Sequence, residues 1–173
     1  MQKTRVFADT NVILEAFRTN CWKAISSHFA IETVEKCVEE TLTGNPGDPR
    51  HISVPPADLN AGLAAQYPVT RKELASLVLA HPACATLDDG EKHLLAWLVA
   101  SKLQPSVLIV VTTADKAALV AAHGLGWLDC ALSLEDLARR AGVGKGNIDA
   151  LALQYRNDWL SGIKTKIRMG IIP

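Results

Sequence analysis

A chain of 173 residues with 49% hydrophobic and 21% charged side chains has the composition of a folded domain, and it excludes global disorder, which needs lower hydrophobicity and a larger net charge. Eighteen Lys and Arg balance eighteen Asp and Glu. With no net charge, the broad cationic face of a dedicated nucleic-acid binder is excluded and any contact with a polyanion must be local.

The chain opens with a short apolar strand, Arg5 to Ala8, bounded by Asp9-Thr10-Asn11 and followed by a helix carrying Val12, Ile13, Leu14, Ala16 and Phe17. The apolar stretch Val6-Phe7-Ala8 is too brief for a secretion signal, which predicts a cytoplasmic protein, and no apolar run approaches the roughly 18 residues of a membrane span. A second strand is expected at His28 to Glu32. A helix then places Val34, Cys37, Val38 and Leu42 on one face and ends at Gly44. Residues 43–56 are dense in Gly and Pro and read as a long surface loop within the domain.

Helical patterns resume at Ala57 to Gln66 and at Thr70 to Ala80, where Thr70 and Glu73 have the spacing of a capping box. Leu87-Asp88-Asp89-Gly90-Glu91 leads into a helix through Leu94, Leu95, Trp97, Leu98 and Val99, apolar on most sides and so expected to be buried. The run Ser106 to Thr112 reads as a strand covered on both faces and ends in Thr113-Ala114-Asp115. A helix through Leu119 to Ala122 follows, then a short strand near Trp127 to Leu132 and a helix opening at Ser133 with Glu135 and Asp136. Asn147 to about Arg168 reads as one amphipathic helix. Strand and helix alternate, which calls for crossover connections, a parallel sheet and an α/β fold. The expected division is an α/β domain over 1–142 and a helical extension over 143–173.

Ligands of open parallel sheets bind beyond the carboxyl ends of the strands, where Asp9 and Asp115 stand. Glu39 and Glu40 on the second predicted helix, and Asp88 and Glu91 at a helix start, are the further acids that could reach the same cleft. Each has a plainer explanation. Asp9, Asp88 and Asp115 sit where a carboxylate caps a helix for about 1 kcal/mol, and Glu39 and Glu40 could face solvent. Taken together, carboxylates at about 4 Å repel by roughly 4 kcal/mol per pair at an effective dielectric near 20, which caps do not offset. A divalent cation removes the conflict. An all-oxygen set selects magnesium or manganese, ions suited to phosphodiester hydrolysis.

The string Val6-Phe7-Ala8-Asp9-Thr10-Asn11-Val12-Ile13-Leu14 resembles the opening of PIN-domain ribonucleases, the family that includes VapC-type toxins. Glu40 with Leu42 and Gly44, Leu87-Asp88-Asp89-Gly90-Glu91, and Ile109 to Lys116 with its T-x-D turn resemble the family's later motifs in order. Two departures stand out: Thr41 replaces the usual Leu, and His93 stands where many members carry a deeper Asp. The resemblance, covering about residues 4–140, implies a three-layer α/β/α sandwich with a central parallel sheet, cutting RNA by a metal-activated water. It implies catalytic Asp9, Glu40, Glu91 and Asp115, a magnesium or manganese site formed by these with Asp88, and supporting Asn11 and Thr113. An antitoxin protein and a homodimer are the partners it brings into view. A PIN-like module that binds RNA or protein without useful catalysis is the rival reading. A phosphatase using Asp9 as nucleophile is disfavoured by Asn11, where that chemistry wants an acid.

His93 reads as a half-buried side chain rather than a base, and Trp22, Trp97, Trp127 and Trp159 as core or interface residues. Arg50, His51, Lys164, Lys166 and Arg168 read as solvated charge, and Gly142 to Gly146 lacks P-loop spacing and context. Cys21, Cys37, Cys84 and Cys130 stand singly and read as reduced core thiols.

Overall fold

The computed structural model describes residues 3–44, 47–49 and 51–172; Arg50 lies outside them. Four strands, β1 (Arg5–Ala8), β2 (Ala30–Val34), β3 (Leu63–Tyr67) and β4 (Ile109–Thr112), form one parallel sheet in the order β3-β2-β1-β4. β1 is interior, paired with β2 through Val6↔Ile31 and with β4 through Ala8↔Thr112. A single parallel bridge from Val111 to Ala131 prolongs the sheet beyond β4.

The helices are α1 (Thr10–Arg18), α2 (Trp22–His28), α3 (Glu35–Leu42), α4 (Pro56–Gly62), α5 (Arg71–Ala80), α6 (Asp89–Ala100), α7 (Lys116–Gly124), α8 (Leu134–Arg140), α9 (Lys145–Asp149) and α10 (Asn157–Arg168). Successive residues of a strand point to opposite faces, so β1 divides its side chains between two cores. Val6 and Ala8 join Val12 and Ile13 of α1, Ile25 of α2 and Leu137 of α8. Phe7 joins Leu77 of α5, Leu94 and Leu98 of α6 and Ala118 of α7. The result is the expected three-layer α/β/α sandwich. A third cluster seats Leu160, Ile163 and Ile167 of α10 on Leu119 and Leu128.

The first strand, the helix after it, the capping box and the mostly buried sixth helix agree with the sequence reading. In the capping box, the Thr70 hydroxyl accepts from the Glu73 amide at 3.2 Å while Glu73 accepts from the Thr70 amide at 2.7 Å. Other expectations need correction. α2 was not foreseen, and the second strand begins only after it, at Ala30. α3 ends at Leu42, which is exposed, and its buried positions are Cys37 and Thr41. Residues 63–66, read as helix, belong to β3, because pairing with the interior β2 satisfies their backbone groups.

Of the run Ser106 to Thr112 only the last four residues are strand. The neighbouring β1 starts at Arg5, whose amide donates to the Leu108 carbonyl at 2.9 Å, and just before β4 the chain turns, the Ile109 amide donating to the Ser106 carbonyl at 3.1 Å; Val107 is 94% exposed. Around 127–132 the chain makes a 3-10 turn, Leu128–Cys130, and the one bridge at Ala131. The single C-terminal helix is broken into α9, a 3-10 turn at Leu153–Tyr155 and α10. Glu15 of α1 accepts from the Ala152 amide at 2.8 Å and Arg18 donates to the Ala150 carbonyl at 2.7 Å, diverting these groups from a helical ladder. Cys21, Cys37 and Cys84 are buried free thiols, while Cys130 is only half-buried. Among the described residues no helix is long and apolar enough to cross a membrane.

One polar network lies under the sheet. Glu32 of β2, buried, accepts from Arg5 Nε at 2.6 Å, from Arg5 Nη2 at 2.8 Å and from the Tyr67 hydroxyl at 2.7 Å. Tyr67 in turn stacks on Trp97 with ring centroids 3.9 Å apart. Removing one partner of such a pair strands the other, so Glu32→Ala is expected to lose about 3 kcal/mol in urea unfolding, with Glu32→Gln losing less. A loss below about 1 kcal/mol would mean that water already solvates Arg5 and Tyr67.

Candidate functional site

Asp9 follows the last residue of β1, and its amide still donates to the Thr112 carbonyl of β4 at 3.4 Å. Its side chain is 1% exposed. One oxygen, Oδ1, caps α1 by accepting from the Val12 amide at 2.8 Å, as the plainer sequence reading expects. The other, Oδ2, is buried without a hydrogen-bond partner. A cap accounts for half of this carboxylate and leaves the other half unexplained.

The same end of the sheet carries β4 into α7. The Thr113 hydroxyl accepts from the Asp115 amide at 3.1 Å, turning the chain so that Asp115 caps α7 by accepting from the Ala118 amide at 2.8 Å. Since Ala8 and Thr112 are register partners, the two Asp residues emerge from adjacent strands within three residues of the pair.

The remaining acids come from helices on the Phe7 side of the sheet. Glu40 of α3 accepts from the Thr10 hydroxyl at 2.7 Å, whereas Glu39 is exposed and paired with Lys36; of these two rivals, Glu40 faces the site. α6 brings Asp88, Gly90 and Glu91. Asp88 occupies the N-cap position of α6 yet makes no capping hydrogen bond, so the capping reading fails for it. Glu91 is buried on the first turn, and its Oε1 also lacks a partner. His93 is half-buried, its Nδ1 2.6 Å from the Asp89 carbonyl, consistent with the structural role expected of it.

Asp9, Thr10, Asn11, Glu40, Asp88 and Glu91 line a cavity of about 230 Å³. A second, much smaller hollow beneath it joins Asp9 and Glu91 to Thr113. Burial pushes the Asp9 carboxyl up to about 6; the Asp115 charge adds to the rise, and the Thr113 hydroxyl and Val12 amide oppose it. Glu91 rises further, to about 8, through burial first and then the charges of Asp9, Asp115 and Asp88. Mutual repulsion thus ties the four acids into one electrostatic unit.

Glu40 approaches from the other wall, and Gly90 is what lets it do so. A Cβ on Gly90 would lie 2.5 Å from Glu40 Oε2, 2.8 Å from Thr10 Oγ1 and 3.2 Å from Cys37 Sγ. The glycine that the sequence displays only as part of a motif is the point at which α6 closes on α3.

A divalent cation fits this donor set by two observations: the orphaned buried oxygens of Asp9 and Glu91, and the oxygen-bearing side chain of every residue that lines the cavity. The acids are drawn up around the cavity rather than closed on one point. Among the described residues no three His, Cys, Asp or Glu side chains stand together as a ready-made cage. Both statements hold, because like-charge repulsion acts over distances well beyond those of coordination.

Sequence reasoning did not single out Thr10, although it lies inside the quoted Asp9-Thr10-Asn11 turn and anchors Glu40. It also passed over Thr112, a buried hydroxyl with no partner, for which a strand-interior Thr gives no sequence signal. Compared with family models, with curated proteins and with solved structures, the chain matches none.

Gly90→Ala offers a sign test. Away from the glycine's close contacts, the substitution would stabilise a helix by up to about 1 kcal/mol. Here the nearest atom is the free end of the Glu40 side chain, so the expected result is little change in melting temperature with Glu40 displaced from the cavity. Manganese affinity, read by calorimetry, should then fall about tenfold or more, as for other lost supports of a ligand; unchanged affinity would remove Glu40 from the site.

Proposed function

We propose that the protein is a magnesium- or manganese-dependent endoribonuclease of PIN type. The observation that carries the reading is the pair of buried carboxyl oxygens, Asp9 Oδ2 and Glu91 Oε1, that have no protein partner beside a cavity lined by two further acids. Leaving such groups unpaired costs several kcal/mol unless something on the cavity side compensates.

In this reading Asp9, Glu91, Glu40 and Asp88 hold the cation, and Asp115 adds negative charge from the adjoining strand end. When bound, the cation supplies positive charge that offsets the acids and makes a nearby water a better nucleophile toward a phosphodiester. The Val12 amide fixes Asp9 through Oδ1 and leaves Oδ2 without a hydrogen-bond partner among the described residues. Thr113 steadies both Asp residues, through its hydrogen bond from the Asp115 amide and its influence on Asp9. Asn11, exposed at the cavity lining, offers an amide to a phosphate oxygen. RNA as the substrate, and an antitoxin and a second copy as partners, belong to this proposal through the resemblance of the four ordered motifs; a cytoplasmic setting is part of the same proposal.

One observation favours the rival, a binding module without catalysis: the acids do not already form a closed cage among the described residues. Metal uptake separates the two. Asp9→Asn is expected to lower manganese-dependent cleavage of single-stranded RNA by more than about a hundredfold while the circular dichroism spectrum stays unchanged. Activity equal to the parent in that variant would end the hydrolytic reading, and an absence of carboxylate-dependent manganese binding would favour the module.

The raised carboxyl groups also give a pH signature. An acid whose folded pKa lies above its unfolded value near 4 favours the fold when protonated, so metal-free stability should decline as pH rises from about 4 through 8. Manganese binds the charged forms. Its stabilising effect in thermal melts should therefore grow between about pH 6 and 8. A manganese shift of the same size across that window would exclude Asp9 and Glu91 as ligands.

A further inference from the structure

The first turn of α1 engages two acids of the cleft, each by one oxygen. Asp9, the N-cap, gives Oδ1 to the Val12 amide at 2.8 Å and keeps Oδ2 without a hydrogen-bond partner among the described residues. Thr10, the first residue of the helix, donates its hydroxyl to Glu40 Oε2 at 2.7 Å, so Oε1 is the oxygen that Glu40 has left to offer. The two acids come from different elements, the end of β1 and α3, yet both line one cavity, and Thr10 lines it with them.

α6 closes beside the second of these bonds. The Cβ that Gly90 lacks would stand 2.5 Å from Glu40 Oε2 and 2.8 Å from Thr10 Oγ1, so the backbone of α6 lies against the hydroxyl and the carboxylate together. Leu94, Leu95 and Leu98, all buried, anchor α6 in the core. A Glu40 that turned both oxygens to the cavity would have to abandon the Thr10 hydroxyl, which is half-buried and would lose its acceptor.

How many oxygens a carboxylate can offer is what separates divalent cations of equal charge. Calcium takes about six to eight oxygens in flexible geometry and accepts both oxygens of one carboxylate, whereas magnesium demands a near-ideal octahedron and keeps several waters. Manganese also suits an octahedral set of oxygens. Acids limited to one oxygen each supply fewer ligands to calcium and leave positions for the waters that magnesium retains. We infer that Thr10 sets the cation selectivity of the cleft: by holding Glu40 to one free oxygen, as the Val12 amide holds Asp9, its hydroxyl disfavours calcium relative to magnesium. Thr10 acts through Glu40 and is a positioning residue. The inference rests on the cation part of the ribonuclease reading and not on cleavage.

The experiment is competition of magnesium and of calcium against manganese bound to the full chain, read from the electron paramagnetic resonance of the free manganese ion. Thr10→Val, which keeps the shape and removes the hydroxyl, should move the ratio of calcium to magnesium affinity about tenfold toward calcium, the size of effect expected when the support of a ligand is lost. Thr10→Ser should keep the parent ratio. A merely structural role for Thr10 would weaken both cations alike and leave the ratio where it was. Thr10→Ala is made beside Thr10→Val and is read in its place if valine lowers the melting temperature markedly. An unchanged ratio in the folded variant without the hydroxyl, or a serine variant that shifts as far as valine, overturns the inference and leaves the cation site standing. A parent protein that binds no manganese overturns both this inference and the reading beneath it, whereas a Thr10-dependent ratio in a protein that cuts no RNA leaves this inference standing without the hydrolytic one.

Discussion

The structure turns on one carboxylate. Asp9 directly follows the interior strand of the sheet, is sealed from solvent, and has one oxygen engaged by the first helix and one buried without a hydrogen-bond partner among the described residues. Everything about the site follows from where that second oxygen lies. Asp9 and the buried Glu91 line one cavity, so two groups that repel each other are held near one another by elements packed for other reasons, α6 by its leucines and β1 by its two flanking strands. Packing free energy keeps the acids together, and their raised proton affinities are the visible trace of that opposition.

The acids also differ in what else they do. Asp9 and Asp115 each cap a helix, which means that half of each carboxylate is structural and cannot rotate freely. Asp88 makes no side-chain capping bond to α6, and among the described residues Glu40 is held by the Thr10 hydroxyl. The cleft therefore combines two rigid donors from the strand ends with more adjustable ones from the helices. That combination suits a site in which the strand side sets position and the helix side adapts.

How much of this was legible in the sequence varied with the physics behind each element. β1, α1, the capping box and the acids past the strand ends were readable because strand length, cap chemistry and strand-end placement are local. The choice between Glu39 and Glu40 was not, since both sit on one helix turn and only the packing of α3 against α1 and α6 decides which faces inward. β3 was misread as helix because Leu63-Ala64-Ala65-Gln66 has good helix formers and becomes a strand only through β2. Val107 and Leu108 fit a strand by composition and fall in a turn instead, closed by the Ile109 amide on the Ser106 carbonyl. The C-terminal helix was overextended because nothing near Ala150 or Ala152 announces that Glu15 and Arg18, far earlier in the chain, will claim their backbone groups.

The pairing of β1 with β4 joins residues more than a hundred positions apart. Asp9 is synthesised early and Asp115 late, so during translation the first acids spend most of the time without the last. Contacts this distant along the polymer form slowly, after local helices are already in place. The electrostatic conflict at the centre of the molecule is therefore absent from the nascent chain and arises in one of the final steps of assembly, when enough apolar surface has been buried to withstand it.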